Sequence, residues 1–194
     1  MYLFLHWRHS MKFVVEWLKE QRMARVIAHA QGDLLDVGCG EGNSLCSRYK
    51  MQHANKTCVG ADVYPWEGVD VILKNSATLP FPDASFDTVT CVAALNHIPE
   101  RMEFLRETVR LLKPSGRFIM TMIPPFISRC WHAVIKPWDE DQAERGMTHE
   151  EVYGFTRKEV SEILRASGLE LVHTEGFIFG LNTLYVAQIR KAAL

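Results

Sequence analysis

The sequence predicts an α/β protein: a mostly parallel β-sheet with helices on both faces, built as a single domain over residues 1–194. Three observations carry this. Short apolar runs alternate along the chain with segments of helical periodicity. One such run, Leu34–Val37, ends in the glycine-rich turn Gly38-Cys39-Gly40-Glu41-Gly42, after which a helix begins. The 194 residues are 47% apolar, enough for one core.

Taken in order, residues 1–30 read as an N-terminal helical segment, with a helix over 11–30 that has Val14, Leu18, Val26 and Ile27 on its apolar side. Strands follow at 33–37, 57–62 and 69–73. Between the last two there is room only for Val63-Tyr64-Pro65-Trp66-Glu67-Gly68. A parallel crossover normally takes a dozen or more residues, usually as a helix. The second crossover helix is therefore expected to be shortened or missing. Three roles are open to Tyr64 and Trp66 in its place: covering the exposed sheet face, packing beside a bound ligand, or meeting a partner. Further strands are expected at 87–92 and 117–123. Between them lies a helix over 99–112, with Pro99 suited to its first turn and Met102, Leu105, Val109 and Leu112 as its apolar stripe. A last helix, 157–166, opens on the capping box Thr156-Arg157-Lys158-Glu159 and stops near Gly168. The segments 169–179 and 182–190 read as a hairpin around Gly180-Leu181.

A formal net charge of −1 offers no broad basic footprint for nucleic acid. Five scattered cysteines without a C-x-x-C pair argue against a disulfide framework and against a metal site. The apolar first residues are interrupted by His6-Trp7-Arg8-His9, too soon for a signal peptide or membrane span, so a cytoplasmic protein is expected.

The spacing of the glycines indicates which ligand the turn serves. A dinucleotide fingerprint reads G-x-G-x-x-G; here Gly38, Gly40 and Gly42 make G-x-G-x-G, with Asp36 two residues before the first. Leu79-Pro80-Phe81-Pro82-Asp83-Ala84-Ser85-Phe86-Asp87-Thr88-Val89 follows, then Asn96-His97-Ile98-Pro99, then Leu111-Leu112-Lys113-Pro114-Ser115-Gly116-Arg117. With these motifs in this order over residues 34–123, the chain resembles the class I S-adenosylmethionine-dependent methyltransferases, in the branch of the ubiquinone and menaquinone biosynthesis enzymes. The resemblance implies a Rossmann-like seven-stranded sheet of order 3-2-1-4-5-7-6, strand 7 antiparallel, and S-adenosylmethionine as cofactor.

It also implies the site. An acid beside the turn suits a ligand that carries an ammonium and a sulfonium. Asp62, ending the second strand about twenty residues past the turn, is placed to accept from both ribose hydroxyls. Carried over position by position, the cofactor contacts are Asp36, Gly38, Cys39, Gly40, Asp62, Val63, Asn75, Ser76, Ala77, Val92, Ala93 and His97. The family usually has an Asp where this chain has Asn75; an amide keeps a carbonyl able to accept from the adenine amino group. His97, after the fourth strand, is the candidate general base, with a backbone-bonded helix-entry histidine as the alternative. His132, His149 and Tyr153 are weaker candidates.

Substrate identity is expected in residues 124–155, read as a substrate-side insertion. Trp131 and Trp138 either wall a planar or apolar acceptor or anchor the segment. Pro124-Pro125-Phe126 looks like the motif of amino-group methylases of nucleic acids, but it follows the wrong strand and lacks the polar residue before it. The function expected is methyl transfer to a small-molecule acceptor. The alternatives are a cofactor-binding scaffold without catalysis and, against the glycine spacing, a nicotinamide oxidoreductase.

Overall fold

The computed structural model describes residues 2–127 and 154–191, with side chains from residue 16 onward. Helix α1 spans Tyr2–His29, β1 Leu34–Val37, α2 Ser44–Gln52, β2 Cys58–Asp62, β3 Val71–Ile72 and β4 Phe86–Val92. Then come α3 (Arg101–Leu111), β5 (Leu112–Met122), α4 (Arg157–Ala166), β6 (Leu169–Phe177) and β7 (Asn182–Ile189). Single 3-10 turns sit at Glu41–Asn43 and Leu95–His97.

The seven strands are ordered β3-β2-β1-β4-β5-β7-β6. β3, β2, β1, β4 and β5 pair in parallel, and β7 runs antiparallel to both β5 and β6. The expected topology holds. Period-2 alternation divides the core between the two faces. Leu35 and Val37 of β1, Phe118 and Met120 of β5, and Tyr185 and Ala187 of β7 face a core with Phe104, Leu105, Val160 and Leu164 of α3 and α4. Their neighbours Leu34, Ile119, Leu184 and Val186 face Met23, Val26 and Ile27 of α1 and Leu45 and Tyr49 of α2.

Several elements differ from expectation for physical reasons. α1 begins at Tyr2 because the residues up to His29 include neither glycine nor proline; the polar His6–His9 stretch does not break a helix. β5 begins at Leu112, which pairs with Phe86. The Lys-Pro-Ser-Gly bend then shifts the register before Arg117 meets Thr88. β3 contracts to two residues. The predicted capping box is present, with Thr156 Oγ1 accepting from Glu159 N–H while the Glu159 carboxylate accepts from Thr156 N–H.

The cysteine reading needs one correction. Cys46 of α2 and Cys58 of β2 are joined by a disulfide, their Cα atoms 5.2 Å apart. Packing of α2 across β2 brings them together, a contact the sequence spacing does not display. Cys39 and Cys91 are free thiols, and Cys130 lies outside the described residues. Among the described residues, no helix is long and apolar enough to cross a membrane.

Candidate active site

Chain connections leave β1 and β4 in opposite directions across the sheet, so a crevice opens at their carboxyl ends, where open α/β sheets bind ligands. The glycine turn forms its floor. Gly38 has φ +76°, and a Cβ there would lie 2.8 Å from the Ala94 methyl, so only glycine lets the turn after β1 pack on the turn after β4. At Gly40, φ +64°, a Cβ would meet nothing within 4 Å: the space above this residue is open.

Two acids flank the turn. Asp62 is buried, and its two oxygens accept from Gly40 N–H and Tyr64 N–H, both at 3.0 Å. Asp36 is also buried; burial pushes its carboxyl up to about 7, the Thr90 hydroxyl donating to it at 2.6 Å pulls the other way, and the Asp62 charge adds to the rise. A buried acid so placed is poised to gain a cation. The Cys39 thiol is pushed up to about 12 by burial and by the charges of Asp36, Asp62 and Asp70, which removes it as a nucleophile at neutral pH.

The expectation of a missing crossover helix holds, and the loop that replaces it clamps the turn. Gly42 N–H donates to Glu67 O at 2.8 Å. One oxygen of Asp70 accepts from both Asn43 Nδ2 and Gly60 N–H, each at 2.8 Å. The Asn43 side chain lies so close over Gly60 that a Cβ there would come within 2.3 Å of it. Asn43 itself takes a left-handed conformation, φ 44°. Tyr64 and Trp66 pack on one another, ring centroids 5.6 Å apart, on the same loop.

Asn75 bends its own chain: its Oδ1 accepts from Ala77 N–H at 3.0 Å and Thr78 N–H at 2.9 Å. This turn is held by the Leu79–Asp83 motif, which Arg110 of α3 grips. Its guanidinium donates to the carbonyls of Leu79 and Phe81 and to Asp83 Oδ1, with Glu107 beside it accepting from Leu79 N–H. Lys113 and Asp87, 2.7 Å apart, fasten the Lys-Pro-Ser-Gly bend to the base of β1 and β4. The family-like motifs outside the turn are thus largely framework.

After β4, Val92 leads into Ala93, φ 54°, whose N–H reaches Thr121 O. His97 closes the 3-10 turn, half-buried, with Asn96 Nδ2 lying 3.0 Å from its Nε2. Asp36, Gly38, Gly40 and Asp62 therefore meet at one point, with Ala94 bringing the turn of Ala93 and His97 alongside. Trp131, Trp138, His132, His149 and Tyr153 lie outside the described residues. Asn43, Asp70 and Thr90 went unpredicted. Their roles depend on partners far along the chain, and only the Glu107–Arg110 spacing on one helix face offered a local signal.

Comparison with known proteins agrees with this geometry. Residues 35–120 match the family model of the methyltransferase domain. The chain is 32% identical over 115 residues to the 27-O-demethylrifamycin SV methyltransferase of Amycolatopsis mediterranei, a match covering 51% of this chain but 42% of that relative. It is 26% identical to the demethylmenaquinone methyltransferase of Deinococcus radiodurans, over 86% of this chain and 79% of that one. In fold it matches the 1,6-didemethyltoxoflavin-N1-methyltransferase of Burkholderia thailandensis, solved with bound 1,6-didemethyltoxoflavin and S-adenosylhomocysteine. The TM-score is 0.65 at 19% identity, covering 97% of this chain and 86% of that chain. The seven-strand order and the glycine turn after β1 accord with these likenesses, and over residues 35–120 this chain is similar to the methyltransferase domain.

Proposed function

We propose that this protein transfers a methyl group from S-adenosylmethionine to a small-molecule acceptor. The observation that carries the reading is the crevice between β1 and β4, where the Asp62 carboxylate is bound to the glycine turn beneath open space and a buried Asp36 stands beside it. Asp62 would hold the ribose hydroxyls and Asp36 the cationic end. Gly38, Cys39, Gly40, Val63, Ser76, Ala77, Val92 and Ala93 would line the rest. With both hydrogen bonds at the Asn75 oxygen used within its own turn, the neighbouring backbone is the better candidate for contact with the adenine ring.

The cofactor supplies a methyl on sulfonium, already a good leaving group. What the chain must supply is proximity, orientation and exclusion of water. Where the acceptor must lose a proton, His97 is the base we assign, its ring held by the Asn96 amide. Residues 124–155 would cover the acceptor, with Trp131 and Trp138 among its contacts. In support, β5 ends at Met122 on the carboxyl edge, and Gly154 returns so close to Ile123 that a Cβ there would lie 2.5 Å from its carbonyl oxygen. Ile123 and Gly154 thus lie side by side. The net charge of −1 favours a small acceptor over nucleic acid, and a cytoplasmic setting belongs to the same proposal.

Titration calorimetry with S-adenosylmethionine, S-adenosylhomocysteine and NAD tests the reading. Both adenosyl compounds are expected to bind and NAD to fail; absence of binding to either adenosyl compound overturns it. A metabolite screen read by product mass then identifies the acceptor.

A further inference from the structure

At the sheet edge opposite β3, β6 carries a bulge. Leu171 pairs with Ala187 and His173 with Val186, which leaves Val172 unopposed. One extra residue reverses which face the following side chains occupy. Leu169 and Leu171 pack toward the core of α3 and α4, whereas Phe177 packs toward α1. His173 and Glu175, in step with Phe177, are thereby carried to the face where α1 ends at His29.

There the three side chains converge. The His29 and His173 rings lie 4.8 Å apart and tilted by 31°. His29 Nε2 is 3.5 Å from Glu175 Oε2. One ligating atom from each of the three residues falls within 4.8 Å of the others. Arg25 Nε donates to the other Glu175 oxygen at 3.2 Å, and its guanidinium lies over the Phe177 ring. Arg25 therefore orients the carboxylate and leaves Oε2 directed at the histidines, the kind of support that ligating carboxylates receive in metal sites.

We propose that His29, His173 and Glu175 bind a divalent transition ion, with zinc as the representative. Two imidazoles and one carboxylate suit zinc, cobalt or nickel, and not magnesium or calcium, which take oxygen ligands. Bonds of about 2.0–2.1 Å set tetrahedral ligands roughly 3.3 Å apart. His173 is exposed and closes the remaining gap by side-chain rotation, while His29 and Glu175 are half-buried and already directed. The three ligands leave a coordination position for water. Bound there, the ion would fasten the end of α1 to the edge strand. This expectation departs from the sequence reading, which anticipated no metal site, and is independent of the methyltransferase reading.

The test uses the tag-free protein and zinc alone, in competition with a chromogenic chelator. The parent is expected to take up one ion per chain and to melt at a higher temperature when loaded. His173→Ala and His29→Ala should each weaken uptake at least tenfold and abolish the thermal shift. His173→Ala, at an exposed position, should leave S-adenosylhomocysteine affinity within twofold, because the crevice lies at β1 and β4. No saturable uptake by the folded parent, or uptake undiminished in the double variant, overturns the assignment.

Discussion

Replacing Asp62 by alanine separates its two duties, holding the glycine turn and holding the cofactor. In the ligand-free protein its oxygens accept from Gly40 N–H and Tyr64 N–H. A hydrogen bond to a charged group contributes about 1.5–3 kcal/mol. Water reaches the turn and replaces part of this, so a net loss of about 2 kcal/mol is expected. For a chain of this size that lowers the melting temperature by roughly 4–8 °C. Two ribose hydroxyls also lose a charged acceptor, at about 1.5 kcal/mol each, which together weaken S-adenosylhomocysteine binding by about a hundredfold. Asp62→Asn keeps one acceptor oxygen for the turn and should melt within a few degrees of the parent while still binding several-fold more weakly. Calorimetry and thermal melts on parent, Asn and Ala forms measure both duties. If the alanine form melts lower yet binds within threefold of the parent, Asp62 only clamps the turn and the ribose assignment is wrong.

The raised Asp36 carboxyl makes stability and affinity respond to pH in opposite directions. Between the ordinary Asp value of about 4 and a folded value of about 7, the native state keeps a proton that the unfolded chain has released, so this group's contribution costs stability as pH rises through that window, on the order of a few kcal/mol. Asp36→Asn should therefore raise the melting temperature of the ligand-free protein at pH 8 and flatten its pH dependence, and a variant that melts lower at pH 8 would sink the argument. S-adenosylmethionine is cationic, so its affinity should rise through about pH 7 in the parent and lose that rise in Asp36→Asn, as calorimetry at several pH values would reveal. Gly60→Ala drives a methyl into the Asn43 side chain; S-adenosylhomocysteine affinity should fall at least tenfold, and unchanged affinity would show that the Asp70–Asn43 clamp does not shape the turn. Asn75→Asp keeps the oxygen that Ala77 and Thr78 N–H use, so affinity should stay within a few-fold, and a large loss would show that this turn depends on the amide.

Whatever depends on neighbours in sequence was legible from the residues. Short apolar runs predicted the strands, Gly38-Cys39-Gly40-Glu41-Gly42 predicted the tight turn after β1, and Thr156 with Glu159 predicted the cap that opens α4. The resemblance of the ordered motifs added the strand order and the acid at Asp62, because those motifs include the pieces that Arg110 and Lys113 tie to the framework. The absent crossover helix was legible too, since chain length alone forbids it.

What tertiary structure decided is where distant residues meet. Asp70 reads as one acid in a loop until folding brings its oxygen to Asn43 and Gly60. Cys46 and Cys58 looked unrelated until α2 lay across β2. His173 and Glu175 reach His29 only because a single bulged residue turns them to the face of α1. A periodic pattern is written into each stretch of chain by its own backbone geometry. Register between elements is set by the packing of the whole sheet, so the partners it selects appear only once the sheet exists.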